Sequence, residues 1–230
     1  MAEEGDQEGG NLGAMTYQCV FNPVFDRLEA NHAGNPEAVA SINQLRSTLQ
    51  CADQASPSFL HDLMRTLVTQ SELNVNFQES FLRLQENAPT EDLEIPMLSD
   101  FAEFQELSAR AIAFRNILSR IPEEMGDRRT FLNIIQEIAS AMKMMLDATT
   151  TVIEIIPPTF QHAVERCKRE FVRDSKEFRR ILKEHFCNNN TDQVTTSANQ
   201  LIFKTAQIVR TVRDKLQLSV YPMWCDSVIT

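Results

Sequence analysis

The segment that decides the fold class spans residues 126–158 and reads GDRRTFLNIIQEIASAMKMMLDATTTVIEIIPP. Between its terminal glycine and prolines, apolar or small residues recur every three or four positions, at Leu132, Ile135, Ile138, Met142, Met145, Thr149 and Ile153. This spacing is typical of an amphipathic α-helix, and Asp127 is placed to cap its start. We predict a helix over residues 123–156 that packs its apolar side into a core.

Glycine and proline divide the rest of the chain into further helical segments. Four of the six glycines lie in the first thirteen residues, and a β-rich fold of this size would need more turn glycines. The segments between the nine prolines are rich in Leu, Ala, Glu, Arg, Gln and Met, which favour helices. The pairs Asn35-Pro36 and Ser56-Pro57 resemble helix starts. We therefore predict an all-α fold.

The predicted helices form two groups on either side of an acidic segment. The first group covers residues 15–33, 37–53 and 57–70, with another helix near 73–86. The second covers residues 100–119, 123–156, 159–186 and 192–217, and four such helices favour an antiparallel bundle. We predict a disordered acidic tail over 1–14, a helical dimerisation domain over 15–70, a helical and acidic linker over 71–99, a four-helix bundle over 100–218 and an irregular tail over 219–230.

The N-terminal group has more apolar surface than its size can bury. About 55 residues are marginal for an independent core. Its helices are nevertheless apolar on more than one side, at Leu45, Leu49, Leu60, Leu63, Met64, Leu67 and Val68. We predict that this group completes its core with a second chain, through interlocked helices.

Composition restricts the class of function. A formal net charge of -10 disfavours nucleic-acid binding, which needs a basic surface. Five scattered cysteines, without a signal peptide or an apolar span, favour a cytosolic protein. No phosphate loop, dinucleotide fingerprint, nucleophile elbow or spaced metal-ligand set occurs, so we expect no catalytic residue, metal or cofactor. A pair of catalytic carboxylates is the enzymatic alternative that sequence leaves open.

Basic residues are concentrated in residues 166–186, RCKREFVRDSKEFRRILKEHF, which hold eight of the 22 lysines and arginines. Helical spacing places one stripe on a single face, formed by Arg169, Arg173, Lys176, Arg180 and Lys183. The roughly opposite face carries Phe171, Phe178 and Leu182. The stripe is either a solvated face paired with neighbouring acids, or a docking strip for an acidic peptide helix or an anionic lipid surface.

Several long blocks together resemble the programmed cell death protein 10 family, also called cerebral cavernous malformation protein 3. The blocks are NPVFDRLE, LNVNFQESFLR, FRNILSRIPEEMGDRRTFLNIIQEIASAMKMMLD, EFVRDSKEFRRILKEHF and TSANQLI. The resemblance implies an N-terminal dimerisation domain, a linker, and a bundle similar to the focal-adhesion-targeting domain of focal adhesion kinase. It also implies a non-catalytic adaptor without cofactors.

The same resemblance implies partners and locations. The N-terminal domain would form a homodimer or pair with germinal-centre class III Ste20-type kinases. The bundle would bind LD and LD-like helices, as in paxillin and the cerebral cavernous malformation adaptor, and would connect kinases to striatin phosphatase complexes. Phosphoinositide binding is attributed to the family, so peripheral association with Golgi and plasma membrane is an expectation, and membrane binding through the basic face is the alternative function.

Site residues follow from the resemblance position by position. The dimer seam falls on Leu45, Thr48, Leu67 and Val68, and we add the neighbouring Leu49 and Leu63 to it. The family's four-lysine patch for LD-like helices falls on Gln136, Lys143, Lys176 and Lys183, with one charge lost at Gln136. Lipid contact would fall to the rest of the stripe, Arg169, Arg173 and Arg180.

Overall fold

The computed structural model describes residues 10–56, 58–71, 73–96, 101–188 and 190–220. Over these ranges the chain consists of helices and short connections, without a strand, which confirms the predicted all-α class. The chain divides into two compact units, Met1–Pro89 and Thr90–Thr230. Most of the predicted acidic tail and the predicted C-terminal tail from residue 221 onward lie outside the described residues.

The first unit is built from short helices. They are α1 (Gly10–Thr16), a π-helical turn (Tyr17–Phe21), α2 (Asn22–Asn31), α3 (Pro36–Ala55), α4 (Phe59–Gln70), α5 (Phe77–Leu84) and a 3-10 turn (Gln85–Asn87). Residues 10–14, expected to be disordered, are helical because Leu12 and Met15 are buried and α1 packs on α4.

The starts of α3 and α4 differ in how they are capped. Asn35 accepts hydrogen bonds from the backbone N–H groups of Glu37 and Ala38, both at 3.2 Å, as the Asn-Pro pair predicts. Helix α4 begins at Phe59, two residues later than predicted. Its N-cap residue, Ser58, makes no side-chain cap hydrogen bond, and Asp53 of α3 instead accepts from the N–H of Leu60 at 3.2 Å.

A tight approach between α1 and the start of α4 occurs at a glycine. Ser58, just before α4, adopts a left-handed φ of 77°. A Cβ added to Gly13 would lie 2.6 Å from the Ser58 Oγ and 3.1 Å from the Ser58 Cβ, so a larger residue at position 13 would force Ser58 to shift. The predicted Ser-Pro start includes Pro57, which lies outside the described residues.

The second unit contains the long helices. They are preceded by a 3-10 turn (Glu91–Leu93) and comprise α6 (Ala102–Ser119), α7 (Ile121–Glu124), α8 (Arg128–Ile155), α9 (Pro158–Asn188) and α10 (Thr191–Val220). Helix α6 packs along α8 and α10, and α9 packs along α10 and α8. The predicted helix over 123–156 is split, because Asp127 caps α8 by accepting from the N–H of Thr130 at 3.1 Å.

Aromatic rings fill the core of this bundle. Phe114 of α6 and Phe171 of α9 are completely buried and meet edge to face, with ring centroids 5.7 Å apart. Phe178 and Leu182 are buried as their spacing predicts. The predicted stripe of α8 is buried from Ile138 onward, but Leu132 is 46% exposed because Phe131 and Ile134 fill the core at that level.

Candidate functional site

An apolar groove runs between α8 and α9 near the end of the bundle where α9 finishes. Its cavity has a volume of about 280 Å³. Helix α8 contributes Leu132, Ile135, Ile138, Ala139 and Met142, and helix α9 contributes Phe178, Arg179, Leu182, Lys183 and Phe186. Leu132 and Phe186 are 46% and 40% exposed, so the floor of the groove is partly open to solvent. A groove of this kind accommodates the apolar face of another helix.

The resemblance placed the patch across a groove between two bundle helices, but the helical spacing of Leu132 and Ile135 assigned these two residues to the core rather than to the groove. The sequence of α8 does indicate a second apolar surface, because its apolar residues cover a wider arc of the helix than packing against the core requires. Phe131 and Ile134 face the interior, and Leu132 and Ile135 follow them one residue further round the helix. A helix with apolar residues on two adjacent faces has more than one surface to bury.

The predicted patch residues lie along the two edges of this groove. All four are exposed: Gln136, Lys143, Lys176 and Lys183. Gln136 and Lys143 are seven residues apart and share a face of α8, and Lys176 and Lys183 share a face of α9 by the same spacing. Lys183 lines the groove itself, and helical spacing places the other three beside it on the same two helices.

The arginines of the basic stripe differ from the lysines in their partners. Arg180 pairs with Glu177 at 2.5 Å and also with Glu184. Arg169 lies 3.7 Å from Glu165, and Arg173 lies 3.0 Å from Asp174. Within the residues that the structure describes, Lys143, Lys176 and Lys183 have no carboxylate at ion-pair distance. The lysines are therefore available to a carboxylate from outside.

Electrostatics supports this division of the stripe. Hydrogen bonds to Glu177 and Glu184 raise the pKa of the Arg180 guanidinium above its ordinary value. The hydrogen bond from Arg180 correspondingly lowers the pKa of Glu177. Arg180 is therefore paired with two acids of its own helix, whereas Lys176 and Lys183 keep their positive charge without such a partner among the described residues.

The residues predicted for the dimer seam lie on α3 and α4. Leu45 and Leu67 are 53% and 56% exposed, and Thr48 is also exposed. Leu49, Leu63 and Val68 are half-buried. Helix α3 has 20 residues and buries none of them. An apolar surface on two adjacent helices of a single chain is typical of a surface that a partner covers.

Other kinds of site are not formed by the described residues. No group of three or more His, Cys, Asp or Glu side chains in this part of the chain could hold a metal ion. Across the same residues, no helix has both the length and the apolar character needed to cross a membrane.

Comparisons with known proteins agree with this arrangement. Residues 9–74 match the family model described as programmed cell death protein 10, dimerisation domain, and residues 75–165 match the model of its C-terminal region. A programmed cell death protein 10 homolog from Caenorhabditis elegans is 48% identical over 212 residues, which cover 92% of this chain and 99% of the relative. A dimerisation domain indicates an adaptor type of protein that works through protein partners. The chain belongs to the programmed cell death protein 10 family.

Proposed function

We propose that the chain is a non-catalytic adaptor with two separate docking surfaces. The N-terminal dimerisation domain pairs with a second copy or with the tail of a germinal-centre class III Ste20-type kinase. The groove between α8 and α9 binds acidic, leucine-rich helices of the LD type, as in paxillin and the cerebral cavernous malformation adaptor. Through these surfaces the adaptor brings kinases to striatin phosphatase complexes.

The observation that supports groove binding most strongly is the combination of an apolar floor with uncompensated lysines at its edges. A helix that places its leucines on Ile135 and Leu182 would bring acidic side chains towards Lys143, Lys176 and Lys183. An exposed charge pair contributes only about 0–1 kcal/mol. The leucines therefore supply most of the affinity, and the lysines fix the orientation of the helix and the choice of partner.

Kinase pairing is supported by the exposed seam on α3 and α4. Another helical domain with a similar apolar surface could replace the second copy without any new kind of contact. Leu45 and Leu67 would lie at the centre of either pairing, since both are more than half exposed in the single chain.

Membrane binding is the second candidate function, and one surface feature favours it. Lys168, Arg169, Arg173 and Lys176 lie along an open depression of about 610 Å³ on α9. Each basic residue near an anionic bilayer contributes about 1 kcal/mol to binding. The pairing of Arg169 with Glu165 and of Arg173 with Asp174 reduces the positive potential of this depression.

Two triple variants of the full chain with equal change in charge separate these functions. The first carries Lys143→Glu, Lys176→Glu and Lys183→Glu, and the second carries Arg169→Glu, Arg173→Glu and Arg180→Glu. Fluorescence anisotropy measures binding of a labelled paxillin LD peptide, and liposome sedimentation with and without phosphoinositide measures lipid binding. Far-UV circular dichroism checks that both variants remain helical.

Groove binding predicts that the lysine variant loses about tenfold or more in peptide affinity, whereas the arginine variant stays within about threefold of the original chain. Kinase co-purification should be unchanged in both. Equal loss of peptide binding in the two variants would refute the assignment of the lysines. Lipid binding that falls further in the arginine variant than in the lysine variant, which changes only Lys176 of that depression, would establish the second function.

A further inference from the structure

Residues 90–95, TEDLEI, form a short acidic segment that we call the strap. The sequence pattern predicts a linker there, but the structure packs the strap onto the bundle. Leu93 and Ile95 are 1% and 6% exposed. The Leu93 N–H donates to the Thr90 carbonyl at 2.8 Å, and the Thr90 hydroxyl donates to the Glu94 carboxylate, so the strap forms a compact turn. The two apolar side chains are buried in the bundle; Glu91 and Asp92 precede them and Glu94 lies between them.

Helices α6 and α10 hold the strap through arginines. The 3-10 turn of the strap packs against both helices. Asp92 lies 3.6 Å from Arg115 of α6 and 3.8 Å from Arg210 of α10. Arg213 of α10 donates to the backbone carbonyl of Glu91 at 3.0 Å. The Arg115 side chain is only 3% exposed, so its ion pair with Asp92 belongs to the packed interior of the bundle rather than to its solvated surface.

The chemistry of this contact repeats that of the groove between α8 and α9. In both places two bundle helices present basic side chains beside an apolar surface. The strap, with three acids and two large apolar residues in six positions, is a peptide of the type that the other groove is proposed to bind. The strap thus occupies the α6/α10 surface as a ligand attached to the same chain.

We propose that the α6/α10 surface is a second docking groove, that the strap closes it, and that an acidic peptide segment with apolar residues at the strap's spacing binds there when the strap is displaced. This inference concerns a different surface from the proposed function and does not depend on it. The charge complementarity of Arg115, Arg210 and Arg213 determines the kind of occupant.

The strap has features of a displaceable element. Burial raises the pKa of the Asp92 carboxyl despite the opposing influence of Arg115, Arg210 and Arg213. The ionised carboxylate is therefore less favourably placed when docked than in water, and docking depends on Leu93 and Ile95. A segment joined to its site by a short connection has an effective concentration in the millimolar range, so a free peptide competes poorly until the strap is released.

The test compares the full chain with a strap-released variant carrying Leu93→Ser and Ile95→Ser. The probe is a labelled peptide of residues 89–96, PTEDLEIP, and binding is measured by fluorescence anisotropy. We expect the released variant to bind the peptide about tenfold or more tightly than the original chain. Adding Arg210→Glu and Arg213→Glu should abolish this binding. Every chain in this comparison also carries Lys143→Glu, Lys176→Glu and Lys183→Glu, so that the groove between α8 and α9, which is proposed to accept the same type of peptide, does not contribute to the measured binding.

Equal peptide binding by the original and released chains would overturn the proposal, as would binding that survives reversal of Arg210 and Arg213. Hydrogen exchange on the original chain gives a second measurement that needs no substitution. A displaceable strap predicts that the Leu93 amide exchanges about 100-fold or more faster than the core amides of α6 and α10. Exchange of the Leu93 amide at the rate of those core amides would show that the strap opens only with the whole bundle and would refute the proposal.

Discussion

Helices α3 and α9 show how the same physical rules complete a core in two different ways. Helix α9 buries Val164, Cys167, Phe171, Phe178 and Leu182 against its own chain. Helix α3 has 20 residues and buries none. Both helices carry apolar residues at helical spacing, so the difference lies in what is available to cover them. In the C-terminal bundle the helices cover one another's apolar faces, whereas the N-terminal unit leaves an apolar surface exposed on α3 and α4.

The energies involved make this difference consequential. Full burial of a leucine side chain contributes about 1.5–3 kcal/mol relative to exposure in water. Leu45 and Leu67, both more than half exposed, gain most of that only when a partner covers them. Phe171 is completely buried, so it gains the free energy of burial within its own chain. Substitutions at the two kinds of position should therefore affect different equilibria, association in one case and folding in the other.

The largest effect is expected from the double variant Leu45→Asp with Leu67→Asp. Two central apolar contacts are replaced by charges, and each such loss costs about 2 kcal/mol or more. Dimer dissociation should become about 1,000-fold more favourable, so the mass measured by light scattering after size exclusion should fall to that of a monomer at micromolar concentration. The circular dichroism of the monomer should stay helical, since both positions are exposed in the single chain.

The matched control for the seam is Gln54→Asp with Thr69→Asp, which places the same charges at exposed polar positions of α3 and α4 that point away from the seam residues. This control should keep the mass of the original chain. If the leucine variant is folded and its mass is unchanged, α3 and α4 do not form the dimer seam.

Truncation of Phe171 to alanine is the counterpart in the bundle. This ring is completely buried and packs edge to face on Phe114 at a centroid distance of 5.7 Å. Its loss should lower the free energy of unfolding by about 3–5 kcal/mol, because a large cavity remains. Chemical denaturation measures this value.

Leu67→Ala, studied as a monomer in the Leu45→Asp background, should change stability by less than about 0.5 kcal/mol. Similar losses in the two variants would contradict the division between folding and association.

The sequence predicted the helices and the core better than it predicted the surfaces. Periodicity was sufficient for α8 and α9, because a long run of helical spacing averages over single exceptions. It failed at Leu132 and Ile135, because an apolar residue that lines a groove has the same spacing as one in the core. It failed again at residues 90–95, where acids and prolines indicated a linker although Leu93 and Ile95 are buried. Six residues are too few for periodicity to show that a segment packs on a bundle.

The ion pair between Glu170 and Lys204 tests how much a surface contact adds to the stability of the C-terminal bundle, whose core is buried within one chain. It joins α9 to α10 at 2.9 Å. The hydrogen bond from Lys204 lowers the pKa of Glu170 below its ordinary value of 4.5, so the stabilisation is present above pH 4.5 and is lost as pH falls through the lowered pKa. Lys204→Met should lower the free energy of unfolding by about 0.5–1 kcal/mol at pH 7. Denaturation between pH 7 and pH 3 should show this difference decreasing.

Lys168→Met is the control for that pH dependence. Lys168 donates to the Thr150 hydroxyl rather than to a carboxylate, at 2.5 Å. Its substitution should shift stability by an amount that does not change through the acidic range. A pH-independent effect of Lys204→Met would show that the Glu170 carboxylate is not its stabilising partner.

The smallest expected effect concerns Gln136, where the resemblance places a lysine and this chain has none. Gln136 is exposed on the α8 edge of the groove, on the same face as Lys143. Gln136→Lys would restore a fourth positive charge at that edge, and an exposed pair contributes at most about 1 kcal/mol, or roughly fivefold in affinity. The anisotropy assay with the paxillin LD peptide at low salt should show this gain, and 0.5 M salt should remove most of it because the Debye length shortens to about 4 Å. Asn133→Lys adds the same charge on the side of α8 away from the groove; an equal gain there would mean that net charge alone, rather than the edge of the groove, attracts the peptide.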